Sequence, residues 1–177
     1  MSGAPLRVVA CGSVDDGKST LLGRLLHDVG ALTEDQLSAL ADAAERSSEQ
    51  PDFLNFSLAF DGLAAERAQS ITIDVAYRWF AAGRRSFLLA DAPGHPEYTR
   101  NMATAASTAD LALLIIDGRK GVSEQSRRHA AILSLLGVRS LIIAINKIDL
   151  IAAAETRFAD LAAKMERLSA TLGFRNV

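Results

Sequence analysis

Gly12-Ser13-Val14-Asp15-Asp16-Gly17-Lys18-Ser19 satisfies the spacing Gly-x-x-x-x-Gly-Lys-Ser/Thr at every fixed position and directly follows the apolar run Leu6–Cys11. A strand, a glycine-bearing loop and a helix in that order make a cradle for phosphate. The glycines let successive backbone N–H groups turn inward at a β-phosphate, and the following helix adds the partial positive charge of its N-terminus. Lys18 would neutralise β- and γ-phosphate oxygens, the Ser19 hydroxyl would ligate Mg²⁺, and Thr20 is placed to reach an α-phosphate.

Two further stretches extend this chemistry. In Asp91-Ala92-Pro93-Gly94-His95, at a strand end, the Asp91 carboxylate could hold Mg²⁺ on the side opposite Ser19, directly or through a water. Gly94, without a side chain, lets its N–H approach a γ-phosphate. Alone this pattern is a common turn; its position after a phosphate loop gives it meaning. Asn146-Lys147-Ile148-Asp149 addresses the base. The Asp149 carboxylate can accept from N1–H and the exocyclic amine of guanine, a pair of donors that adenine does not offer on that edge. Asn146 can bond the purine N7 edge and brace the loop, and the stem of Lys147 can lie along the base.

Thr72, in Ser70-Ile71-Thr72-Ile73-Asp74, could swing onto the cation and the γ-phosphate, although periodicity alone reads it as a β-branched strand residue. The expected metal set is therefore Ser19, Thr72 and Asp91. For catalysis the candidates are His95, to align an attacking water, and Lys18 on the phosphates, since phosphoryl transfer needs an aligned nucleophile more than a strong base. His27 and His129 read as helix-surface residues without chemistry, and Arg127-Arg128 as a solvated pair or a contact for an acidic partner.

Positioning these groups takes alternating elements. Strands are expected at Leu6–Cys11, Ile71–Phe80, Ser86–Ala90, Leu111–Asp117 and Ser140–Asn146, with the second and third joined as a hairpin through Ala81-Ala82-Gly83-Arg84. Helices are expected at Lys18–His27, from the N-cap Thr33 with its capping-box Gln36 to Arg46, at Ser123–Leu136 closed by Gly137, and at Ala152–Leu172 before Gly173. Residues 47–70 read as a long irregular connection with a short helix near Leu58–Ala65. The fold class is α/β: a mostly parallel sheet with one antiparallel edge strand and helices on both faces.

At 177 residues, 49% hydrophobic and 23% charged, the chain suits one compact domain spanning 1–177. A net charge of -2 gives no general reason to expect nucleic acid. The single cysteine, Cys11, excludes an intramolecular disulfide, Met1–Pro5 lacks the features of a signal peptide, and no apolar run approaches the roughly 20 residues needed to span a bilayer. The expectation is a cytoplasmic protein without a membrane partner.

Phosphate loop, threonine switch, D-x-P-G-H and N-K-x-D in this order resemble the P-loop GTPase domain of the translation-factor superfamily. Within it, "GSVDDGKSTLLGRLL", "DGLAAERAQSITIDVAYRWF", "HPEYTRNMATAASTADLALLIIDGRKGVSEQSRRH" and "AINKIDL" resemble the GTPase subunits of bacterial sulfate adenylyltransferases. Translation elongation factors typically carry His where Asp16 stands. The resemblance implies GTP/GDP and Mg²⁺ as ligands. It also implies GTP hydrolysis coupled to synthesis of adenosine 5'-phosphosulfate and pyrophosphate from ATP and sulfate, in sulfate assimilation. Adenylyl transfer would belong to a separate small catalytic subunit in a heterodimer, and some relatives continue into a fused adenylylsulfate kinase domain or serve nodulation. Two departures stand out: Ser70 replaces the family's usual Gly, and the chain stops before the strand and Ser-Ala loop that complete the guanine pocket. It is thus expected to be an excised N-terminal domain with its final strand truncated. The alternatives are a translation elongation-type GTPase and a non-hydrolysing guanine-nucleotide-binding regulatory module.

Overall fold

The computed structural model describes residues 3–46, Phe56 and residues 74–177. Ser70, Thr72, the connection over 47–70 and the short helix expected near Leu58–Ala65 lie outside the described residues, Phe56 apart. In chain order the elements are β1 (Leu6–Gly12), α1 (Lys18–Asp28), α2 (Glu34–Arg46), β2 (Ala76–Ala82), β3 (Arg85–Asp91), a 3-10 turn (Pro96–Tyr98), α3 (Thr99–Ala106), β4 (Leu111–Asp117), α4 (Glu124–Leu135), β5 (Leu141–Asn146), a second 3-10 turn (Ile148–Leu150) and α5 (Ala154–Leu172).

The sheet order is β2-β3-β1-β4-β5, with β2 antiparallel to β3 and all other neighbours parallel. Alternation along β1 explains why it is buried on both sides. Val9 and Cys11 join Leu114, Ile116, Met102, Leu133 and Met165 in a core under α3, α4 and α5, whereas Ala10 joins Leu89, Ile115, Leu22 and Leu26 under α1. Among the described residues no helix is long and apolar enough to cross a membrane.

The capping box forms as expected: Thr33 N donates to Gln36 Oε1 at 3.0 Å and Gln36 N to Thr33 Oγ1 at 3.4 Å. Three expectations need correction, and one element, α3, was not anticipated. β2 starts at Ala76 rather than Ile71, after a bend at Asp74, whose Oδ1 accepts from Val75 N at 2.8 Å; residues 71–73 are not among those described. The hairpin turn shortens to Gly83-Arg84, because Ala81 and Ala82 still pair with Ser86 and Arg85. Helix α3, short and rich in Thr and Ala, has no apolar periodicity long enough to announce it. His129 is no surface residue: it is 0% exposed, on the inward stripe of α4 with Ser126, Ala130 and Leu133.

At the chain's last residues Asn176 forms a parallel bridge with Ser140, and Leu141 N donates to Asn176 O at 2.8 Å.

Candidate functional site

The parallel strands β1, β3, β4 and β5 all end on one edge of the sheet, and Gly12–Ser19, Asp91–His95 and Asn146–Asp149 leave from that edge. Ligand chemistry collects there because strand ends carry short loops next to helix starts.

The phosphate loop turns through two left-handed residues, Asp15 (φ 65°) and Gly17 (φ 84°), before α1 begins at Lys18. Gly17 is required twice over. An L side chain is strained at that φ, and a Cβ there would collide with Asn146 Nδ2, which donates to Asp16 O at 2.8 Å. Asp16 is 3% exposed; its Oδ2 accepts from Ser13 N at 3.0 Å and its own N–H donates to Ser13 O at 3.2 Å. Burial pushes the Asp16 carboxyl pKa up, opposed by the Ser13 N–H. Lys147, itself left-handed at φ 57°, donates from Nζ to Asp15 O. Two residues of the base motif therefore brace the phosphate loop, which adds a bracing role for Lys147 to the one expected along the base.

Lys18 and Asp91, 7% and 1% exposed, form a buried ion pair. Each charge compensates the other where an isolated one would be costly. Gly94 closes against the loop: a Cβ there would lie 2.5 Å from Gly12 O and 3.0 Å from Val14 N, so only glycine lets the two segments meet. Ser19, on the first turn of α1, is partly exposed, and Thr20 beside it is exposed. The Asp91 carboxylate and the Ser19 hydroxyl are hard oxygen donors of the kind Mg²⁺ prefers. Among the described residues no group of three or more His, Cys, Asp or Glu could hold a metal alone. A cation here would complete its shell with phosphate oxygens and water, the habit of Mg²⁺. Thr72 lies outside the described residues.

His95 caps the 3-10 turn. Its Nδ1 accepts from Glu97 N at 3.3 Å, its side chain is 40% exposed, and its ring centroid is 5.8 Å from that of Tyr98. Glu97 Oε2 lies 3.9 Å from the same Nδ1, and an Nδ1 that accepts from Glu97 N leaves the ring proton on Nε2. Ile148 and Asp149 sit on the second 3-10 turn, with Asp149 exposed at the edge of the site.

Sequence reasoning missed Asp117. In the register of β4 and β5 it pairs with Asn146, and it is 0% exposed. It accepts from Arg119 N (2.9 Å), Nε (3.1 Å) and an Nη (2.6 Å), and Lys147 Nζ lies 3.6 Å away. Hydrogen bonds from Arg119 hold its carboxyl well below the usual carboxylate range, outweighing burial. Asp117 thus steers the lysine of the base motif. The signal was available: a carboxylate at the end of an apolar strand, placed as Asp91 is. Arg157 of α5 donates from Nε to Gly118 O at 2.9 Å and ties down the same loop.

The profile of the elongation factor Tu GTP binding domain family matches residues 5–176. The Bifunctional enzyme NodQ of Azospirillum brasilense is 57% identical over 172 residues, covering 97% of this chain and 28% of its own length. Sulfate adenylyltransferase subunit 1 of Methylorubrum extorquens is 52% identical over 172 residues, covering 97% and 37%. The chain spans about a third of the length of these relatives. Among solved structures, the Ski7 GTPase-like domain of S. cerevisiae, bound to GDP and inorganic phosphate, aligns with a TM-score of 0.77 at 20% identity, covering 97% of this chain and 41% of that one. That likeness concerns the fold alone.

Proposed function

The chain belongs to the elongation factor Tu GTP binding domain family, and from that membership and its likeness to NodQ and sulfate adenylyltransferase subunit 1 we propose that it binds GTP and GDP with Mg²⁺, hydrolyses GTP, and is the GTPase domain of a sulfate adenylyltransferase. The observation that carries this reading is the lock between the base motif and the phosphate loop, Asn146 on Asp16 O and Lys147 on Asp15 O. It supports one ligand that spans both, a guanine nucleotide.

In the mechanism, the loop from Gly12 to Ser19 holds the phosphates by backbone N–H groups and Asp149 selects guanine. On nucleotide binding Lys18 exchanges Asp91 for phosphate oxygens, so the interior charge stays compensated and Asp91 becomes available as a ligand. Asp91, Ser19 and Thr72 would hold Mg²⁺, which would supply charge neutralisation to the phosphates. His95, through Nε2–H, orients the attacking water rather than removing its proton. Lys18 steadies the charge that develops on the phosphate oxygens.

For the longer protein, hydrolysis would drive formation of adenosine 5'-phosphosulfate from ATP and sulfate, with adenylyl transfer in a small catalytic partner subunit. A bifunctional parent would also carry an adenylylsulfate kinase domain. Calorimetry with GDP, GTP, ADP and ATP, with and without Mg²⁺, tests the first step: tight ATP binding without GTP binding would sink it. Co-purification of the full-length parent with the small subunit tests the second, and no complex would return the reading to a translation-type GTPase.

A further inference from the structure

Helix α4 touches both phosphate-facing segments through its first turns. Ser123, its N-cap, accepts from Ser126 N at 3.0 Å, and its Oγ lies 3.2 Å from Ser13 Oγ on the phosphate loop. Two residues further on, Gln125 Nε2 donates to Gly94 O at 3.4 Å and lies 2.9 Å from Nε2 of His129, one turn along the same face. Arg128 donates from Nη to Gln125 Oε1 at 3.3 Å.

These contacts admit one orientation of the Gln125 amide. With its NH₂ between a carbonyl and an imidazole nitrogen and its oxygen toward a guanidinium, every contact pairs a donor with an acceptor. Turned over, oxygen would face oxygen at Gly94 and NH₂ would face the guanidinium. The arrangement needs a lone pair on His129 Nε2, so the ring carries its proton on Nδ1. Burial above all, with the charges of Lys18 and Arg128, pushes the His129 pKa down to about 4 and keeps the ring neutral. His129 Nδ1 is buried without a hydrogen-bond partner among the described residues. A leucine of similar size would avoid that cost, so stability alone does not account for a histidine here.

We propose that Gln125, held in one orientation by His129, is a positioning residue for GTP hydrolysis. Its target is the Gly94–His95 peptide. Because a peptide is planar, fixing Gly94 O also fixes the direction of His95 N–H and the point from which the His95 side chain departs. The amide thereby sets His95 against the phosphate loop, to which α4 is itself joined through Ser123. This rests on the role given to His95 above.

Two measurements on the 177-residue chain test it, one of them independent of turnover. In ¹⁵N NMR of the imidazole groups, His129 should be the neutral Nδ1–H form with an Nε2 signal that shifts in Gln125→Ala; an Nε2–H or charged ring, or an unmoved signal, would overturn the proposal. In single-turnover hydrolysis, Gln125→Ala, Gln125→Glu and His129→Leu should each slow GTP cleavage roughly 10- to 100-fold, the scale of a misplaced catalytic group, with GDP affinity kept within about twofold. His129→Gln, whose amide oxygen can accept from Gln125, should recover most of the rate. Unchanged cleavage in Gln125→Ala, equal losses of rate and GDP affinity, or no recovery in His129→Gln would each overturn it. Absence of guanine nucleotide binding in the wild-type chain would instead defeat the nucleotide reading, and the NMR result would still decide the Gln125–His129 contact.

Discussion

Asp16 and His95 belong to the two loops of the proposed phosphate site, yet they are held in opposite ways. Asp16 is almost fully buried, stapled to Ser13 through side chain and backbone and gripped from across the sheet by Asn146. The His95 side chain is 40% exposed and touches only its own turn among the contacts described, through a 3.3 Å bond from Glu97 N, Glu97 Oε2 at 3.9 Å and the Tyr98 ring. Under the proposed function the difference separates two tasks. A phosphate cradle must be rigid before the ligand arrives, because ordering it on binding would subtract from affinity. A residue that aligns water for one step of a cycle must be able to adjust when the γ-phosphate leaves.

Substitutions on the two loops should therefore fail differently. The largest effect is expected from Gly17→Val, which strains φ 84° and strikes the Asn146 amide. GDP binding by calorimetry should weaken at least roughly 100-fold, equivalent to about 2.7 kcal/mol. Retained affinity would mean that the loop is pliable and the contrast with His95 false. Next, His95→Ala should slow single-turnover hydrolysis roughly 100-fold with little change in GTP affinity; equal losses in both would make His95 part of the cradle. On the base side, Asp149→Asn should weaken GTP binding roughly 10- to 100-fold and favour xanthosine triphosphate. Unaltered selectivity in a competition assay would remove Asp149 from the base pocket.

The smallest effect sharpens the comparison from the rigid side. The folded-state pKa of Asp16 is raised above its unfolded value of about 3.9. The folded chain therefore binds more protons than the unfolded one over the interval between the two, and stability falls as pH rises through it. Asp16→Asn keeps an oxygen for Ser13 N–H without burying a charge. It should stabilise the chain at neutral pH by up to about 1 kcal/mol, seen as a higher thermal midpoint, and the gain should vanish below roughly pH 4. A loss at neutral pH would show that the carboxylate is worth more to the loop than its burial costs.

The elements were largely legible, because β1, β4 and β5 are apolar runs ended by Gly12, Asp117 and Asn146, and the Thr33–Gln36 box marks its helix within four residues. Where the reading failed, polarity misled it. His129 lies on a stripe with Ser126, Ala130 and Leu133, yet its polar side chain suggested a solvent face. Helix α3 escaped notice because its eight residues carry too little pattern, and Asp74 and Val75 were placed in β2 because Val75 has the β-branched character of a strand residue.

What the chain by itself determined was the set of residues on which the proposed ligand chemistry rests. A loop of fixed spacing proposed for phosphate, and a carboxylate two residues past a lysine proposed for guanine, would act through geometry set within a few bonds, so residue type and spacing suffice to nominate them. Only the tertiary structure decided how those pieces are held. Asp117 reaches Lys147 because β4 and β5 pair in the register that sets Asp117 beside Asn146. Gln125 reaches Gly94 because α4 turns His129 inward against the sheet. Contacts between residues far apart in the chain follow from strand register and helix rotation, which the packing of the whole core fixes and no local spacing encodes.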